Sequence, residues 1–126
     1  MFFSRSLVFT TIALLAACQQ INLPEGQYKQ LSNSTEQKPL HIALQEGKLS
    51  GFTGCNNAMG NYHIDKGELV VSQLATTMMM CEPEAMAKEQ AFSQFLQSRP
   101  QVSIDQETLT LSKGDVQYQF NWQPEL

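Results

Sequence analysis

Basic residues are scarce in this chain, eight lysines and arginines against twelve acids in 126 residues, and they form no stripe. A nucleic-acid binder needs a positive footprint to displace counterions from phosphates, so nucleic acid is excluded as a partner. The same shortage leaves no polybasic patch for anionic lipid. Histidine is rarer still: His41 and His63 each sit in a strand-like stretch with no carboxylate at a familiar catalytic spacing. No serine occupies a nucleophile elbow, and Gly114 with its neighbours makes no phosphate loop. The inventory of an enzyme is therefore missing, and no catalytic residue, cofactor or resident metal is assigned.

Long apolar runs are also lacking. Leu7 to Leu15 is apolar and free of charge, but too short to cross a bilayer as a permanent helix. It follows Met1-Phe2-Phe3-Ser4-Arg5-Ser6, a short segment with one positive charge, and has the length of a signal h-region. Next comes Leu15-Ala16-Ala17-Cys18, which resembles a bacterial lipobox. Small residues at 16 and 17 fit a peptidase cleft, and the Cys18 thiol can carry a diacylglycerol thioether. The expectation is a signal peptide over 1–17, removed on maturation, and a palmitate-type lipid anchor on Cys18. Each buried methylene contributes about 0.8 kcal/mol, so two acyl chains give durable anchoring. With Gln19 rather than Asp in the second mature position, the chain resembles lipoproteins that diderm bacteria pass on to the outer membrane. That resemblance implies an outer-membrane location facing the periplasm.

Removing 17 of the 126 residues leaves 109 and, because Arg5 departs without an acid, moves the net charge from −4 to −5. Such a chain makes one domain, burying roughly two-thirds of its unfolded surface, and a monomer is expected. Residues 18–26, with Pro24 and Gly26, are expected to form a lipidated tether, and 27–126 the domain. With Cys18 assigned to lipid, Cys55 and Cys81 are an even pair in an oxidising compartment. A disulfide is the default expectation, two free buried thiols the alternative. Closing a loop of 26 residues would stabilise the fold by about 3.5 kcal/mol on the chain-entropy model.

Short strands dominate the pattern. They are expected at Tyr28–Leu31, Leu40–Leu44, Lys48–Phe52, Asn61–Ile64, Leu69–Val71, Val102–Ile104, Thr108–Leu111 and Val116–Trp122. Turns fall at Glu46-Gly47, Asp65-Lys66-Gly67-Glu68, Asp105-Gln106 and Lys113-Gly114-Asp115. In the last strand Val116, Tyr118, Phe120 and Trp122 share one face. One helix interrupts the series. Pro83 suits a first helical position, and Glu82 and Glu84 suit the positive end of the dipole. Met86, Phe92, Phe95 and Leu96 recur at helical spacing, Arg99 lies near the negative end, and Pro100 stops the helix. The expected class is α+β, mostly antiparallel, with a small barrel-like curved sheet packed on one α-helix.

The centre of the chain reads Gly51-Phe52-Thr53-Gly54-Cys55-Asn56-Asn57-Ala58-Met59-Gly60-Asn61-Tyr62, followed later by Thr77-Met78-Met79-Met80-Cys81 and a helix with Glu89 ahead of Phe92. In that order these segments resemble the META domain family, found in heat-shock lipoproteins of the HslJ type. The resemblance runs from about Tyr28 to Trp122. The family domain usually opens with a tryptophan where this chain has Tyr28, and commonly has a basic residue where this chain has Met78. The resemblance implies a stress-associated envelope protein but no molecular mechanism.

The motif residues also have an architectural meaning. Gly51 and Gly54 permit positive φ or close backbone approach, and Asn56 and Asn57 suit turns. Thr77, Met79 and Cys81 would share one face of a strand, bringing Cys81 to Cys55 on a neighbouring strand, with Met79 in the core beside Phe92, Phe95 and Trp122. On that basis the expected function is a non-catalytic binding module presenting a pocket or sheet edge to a periplasmic protein or apolar ligand. The alternative is a soft-metal chelator. Met78-Met79-Met80-Cys81, with Met59, His41 and His63 elsewhere, offers thioether, thiolate and imidazole ligands suited to Cu(I).

Overall fold

The computed structural model describes residues 20–31 and 38–124. The apolar leader and Cys18 lie outside the described residues. The elements run β1 (Gly26–Gln30), β2 (His41–Gln45), β3 (Lys48–Phe52), β4 (Asn57–Asp65), β5 (Glu68–Thr76), α1 (Pro83–Leu96), β6 (Gln101–Asp105), β7 (Thr108–Lys113) and β8 (Val116–Gln123). Each strand pairs antiparallel with its neighbour in sequence, and β8 closes back on β1 with Tyr28 opposite Trp122. The expected α+β class is therefore observed, with the curved sheet closed into an eight-stranded barrel.

Turn chemistry sets the register. Glu46-Gly47 and Lys66-Gly67 take positive φ at both residues, 49° and 75° in the first turn, 49° and 78° in the second. That primed geometry matches the right-handed twist of the strands it joins. Alternation then sends Ile42, Leu44, Leu109, Leu111 and Phe120 inward. Strands β4 and β5 run well past their expected limits. Between them the register shifts across Met59/Asn61, so Gln73 and Leu74 oppose the single Gly60. Gln73 adopts φ 54° there, and its Oε1 accepts from Asn61 Nδ2 at 2.7 Å. This bulge breaks the period of two, which is why the sequence pattern showed only fragments of both strands.

Side chains fill the barrel. Tyr28, Leu44, Leu69, Leu111 and Phe120 are completely buried, as expected for a barrel of this size. Helix α1 adds Phe92, Phe95 and Leu96 to the same core. The Phe92 ring lies 5.0 Å from Tyr118 and 6.0 Å from Phe120, while Phe95 lies 4.7 Å from Tyr118. Trp122, expected in that cluster, is half-buried, with Nε1 donating to the Glu25 carbonyl at 3.0 Å. Along β8 only Phe120 is fully covered, and Val116 at the strand's start is exposed.

The segment expected to be a tether is docked from Ile21 onward. Leu23 is buried in the core, Ile21 packs against it, and the Tyr28 hydroxyl donates to the Pro24 carbonyl at 2.6 Å. Burial, with a smaller contribution from Tyr62, pushes the Tyr28 hydroxyl pKa up to about 12. β1 already begins at Gly26. Pro83 opens the helix as expected, but its last turn carries no basic residue. Arg99 turns away at φ 58° and reaches Asp65 at 2.8 Å and Glu68 at 3.3 Å. Its guanidinium pairs with two partly exposed acids instead of lying at the helix end.

Antiparallel alternation sorts the connections to two ends of the barrel. The β2–β3, β4–β5 and β6–β7 turns share one end with the start of β1 and the finish of β8. The β3–β4 loop, the segment from β5 to α1 and the β7–β8 turn occupy the other. Truncating Phe92 to Ala should cost about 3–5 kcal/mol, as for an aromatic removed from a packed interior. Urea unfolding should show this, while His63→Gln on the outer face of β4 should change stability by less than about 1 kcal/mol.

Candidate functional site

The β3–β4 loop, Thr53 to Asn56, crosses over helix α1 at Gly54. With φ 133°, Gly54 lets the helix backbone rest directly on the loop: a Cβ there would lie 2.8 Å from the Glu89 nitrogen and 3.2 Å from the Ala85 carbonyl oxygen. This close approach brings the Glu89 carboxylate beneath the loop, where the residue is only 8% exposed. Glu89 Oε1 accepts from the Asn56 backbone N–H at 2.7 Å and the Thr53 hydroxyl at 2.8 Å, and Oε2 accepts from Asn56 Nδ2 at 2.9 Å. Burial alone would raise the carboxyl pKa. The hydrogen bonds from Asn56, Thr53 and the Cys55 backbone together outweigh burial and hold it below its ordinary value.

Asn56 joins this carboxylate to a third segment. Its Nδ2 also donates to the Met79 carbonyl at 3.1 Å, while Oδ1 accepts from the Met79 N–H at 2.6 Å and the Thr77 hydroxyl at 2.9 Å. Both donors and both lone pairs of the Asn56 amide are thus engaged. Thr77 Oγ1 in turn accepts from the Asn57 N–H at 3.1 Å. Cys55 and Cys81 are joined by a disulfide with a Cα–Cα separation of 6.0 Å. The loop, the strap of residues 77–82 and helix α1 therefore form one clasp.

The strap departs from the expected strand. β5 ends at Thr76, and both cysteines lie in connections rather than on neighbouring strands. Met79 is 56% exposed rather than buried, because the Asn56 amide holds its backbone N–H and C=O inward. Met78 and Met80 are 94% and 87% exposed. Of the motif residues, Gly54, Cys55, Asn56, Thr77, Met79 and Cys81 meet in the clasp. The others lie along the strands. Gly51 stands where any Cβ would run into the His41 carbonyl oxygen, Gly60 occupies the bulge, and the Tyr62 N–H donates to Gly47 at 2.9 Å near the far end of β4.

The ligand set expected for copper is not assembled as drawn. Cys81 is bound to Cys55, and His63 is exposed on β4. His41 stacks on Phe52 at 6.3 Å, its pKa lowered by burial and then by Lys38 and Lys29. Among the described residues no three His, Cys, Asp or Glu groups come together as a metal site. A groove of about 180 Å³ beside the clasp is lined by Phe52, Gly54, Ala85, the bases Lys38 and Lys88 and the acids Glu82 and Glu84, with Lys38 Nζ 4.2 Å above the Phe52 ring. The Glu89 carboxylate is the element that residue-by-residue reading missed. Its signal was an acid on the apolar stripe of α1, three residues from Met86 and three from Phe92.

Two outcomes follow from the clasp. Glu89→Gln places an NH2 group against the Asn56 amide donor and should cost about 1–3 kcal/mol. Because the folded carboxyl titrates below the ordinary 4.5, its stabilisation is complete above that pH and lost as pH falls through the folded value. Melts across that acid range should fall less steeply for Glu89→Gln than for the wild type. Separately, reducing the Cys55–Cys81 bond should lower the thermal midpoint by roughly 10–15 °C.

Comparison with known proteins agrees with this architecture. A protein solved by NMR shares the fold at TM-score 0.67 and 25% identity, covering 79% of this chain and 91% of its own. An NMR structure of a protein from Burkholderia xenovorans matches at TM-score 0.60 and 23% identity over 79% of each chain, a likeness of fold. No curated protein matches the sequence. The family model for the META domain matches residues 18–124, and the chain belongs to the META domain family.

Proposed function

We propose that the protein is a non-catalytic lipoprotein of the HslJ type, active in envelope or heat stress, that presents the Met78–Met80 strap to a polypeptide partner. The observation carrying this reading is the exposure of three consecutive methionines on a backbone fastened by Asn56 and by the neighbouring disulfide. Exposed apolar side chains add nothing to the fold, while a rigid backbone under them limits the ordering entropy of binding. Methionine is flexible and polarizable, which suits a surface that accepts varied apolar segments. The partner in this reading is an apolar stretch of a periplasmic protein, matched to the exposed thioether side chains. Lipid on Cys18, and outer-membrane sorting through Gln19, belong to the same reading and are supported by Leu15-Ala16-Ala17-Cys18.

Exposed adjacent thioethers also favour a second reading, Cu(I) held by Met78, Met79 and Met80 without the cysteine. Replacing all three methionines by Ser in the intact protein separates the two. The variant should keep the wild-type melting temperature and lose the heat-stress phenotype of the gene. A phenotype that survives would remove the strap from function. Micromolar or tighter Cu(I) binding by the wild type alone would favour the chelator. Cys18→Ser should release the protein from membranes in a carbonate wash, and retention would show an anchor elsewhere.

A further inference from the structure

An exposed methionine triplet on a lipid-anchored protein invites the idea that the triplet dips into the bilayer. The geometry points the other way. We infer that the barrel stands directly on the membrane through its β4–β5 turn end, holding the methionine strap at the membrane-distal end. This deepens the proposed function and rests on the lipidation of Cys18.

Residues 20–25 do not hang from the domain. They run across the barrel end from Glu25 to Ile21, whose Cδ1 lies 3.7 Å from where a Cβ on Gly67 would be. Leu23 is buried, the Pro24 carbonyl is held by Tyr28, the Glu25 carbonyl by Trp122, and Glu25 Oε1 accepts from the Glu46 N–H at 2.9 Å. These contacts reach the β2–β3 and β4–β5 turns and the finish of β8. The docked chain thus lies where its own barrel end would meet a surface.

Only two residue steps separate Gln20 from Cys18, a span of at most about 7 Å. A lipid on Cys18 therefore brings the headgroup layer to within one side chain of Gln20, Asn22 and Lys66, which border a groove of about 910 Å³. The strap follows the far end of β5. Nine residues of β5, at 3.3 Å each and tilted as barrel strands are, place Met78–Met80 roughly 20–25 Å farther from the membrane. While Leu23 stays docked, the strap touches lipid only if the barrel lies on its side rather than standing on the end that residues 20–25 cover. Charge does not set this orientation. Asp65 and Glu68 both pair with Arg99 at the seated end, which leaves that guanidinium neutralised by acids of its own chain. Seating is therefore expected to be the same on zwitterionic and on anionic bilayers.

The test uses the mature lipidated protein with labelled isoleucine and methionine methyls, in phosphatidylcholine nanodiscs doped with a lipid carrying a nitroxide on its headgroup. The Ile21 and Ile64 methyls should lose most of their intensity, while those of Met78, Met79 and Met80 keep theirs. Replacing part of the phosphatidylcholine by phosphatidylglycerol should not change the pattern. Broadening of the strap methyls, or equal broadening at both ends, would overturn the seating while leaving the anchor intact. The intact mass reports the anchor separately: an unmodified Cys18 would overturn the lipidation reading and the seating with it.

Discussion

A single buried carboxylate organises one end of this molecule. An ionised glutamate under a loop is costly unless hydrogen bonds replace its water, and Glu89 receives them from Thr53 and twice from Asn56. Those donors are correctly placed only because Gly54 lets the loop touch the helix backbone. One amide hydrogen of Asn56 goes to Glu89, and its other hydrogen and both Oδ1 lone pairs fix the strap at Thr77 and Met79. The Cys55–Cys81 crosslink then spans two segments that are already adjacent. Helix, loop and strap are thus interdependent, and the exposure of the three methionines is a consequence of how their backbone is held.

The barrel supplies the platform rather than the site. Its interior is lined by buried apolar side chains, and its two ends are built differently. One end carries the clasp and strap. The other is covered by residues 20–25, which are stapled to it by Leu23 and by hydrogen bonds from Tyr28 and Trp122. Residues 20–25 and the exposed methionines thus lie at opposite ends of the barrel.

Much of this was legible in the sequence, and the misses have physical causes. Strands with an unbroken period of two, such as β2, β7 and β8, stood out, and so did the Glu46-Gly47 and Lys66-Gly67 turns. β4 and β5 were cut short in the pattern because the bulge at Gly60 and Gln73 resets the alternation. The strap imitated a strand, Thr77, Met79 and Cys81 alternating with Met78 and Met80. Hydrophobicity pointed Met79 inward, but the Asn56 amide competes for the same space and binds the backbone instead. Pairing of β1 with β8 joins Gln27 to Gln123 and has no local signature. The disulfide was legible from inventory alone. The role of Glu89 was not, since an acid on an apolar stripe is visible while its donors, far away in sequence, are not.

If the clasp is the organising interaction, loop amides within it must be as hard to expose as the barrel core. Hydrogen exchange of the oxidised protein under native conditions measures this directly, residue by residue. The Asn56 N–H, bound to the Glu89 carboxylate, and the Met79 N–H, bound to the Asn56 side chain, should exchange as slowly as Leu44 and Leu111 in the barrel. Exchange of Asn56 and Met79 at the rate of ordinary exposed loops would mean that the carboxylate does not hold the loop and strap together.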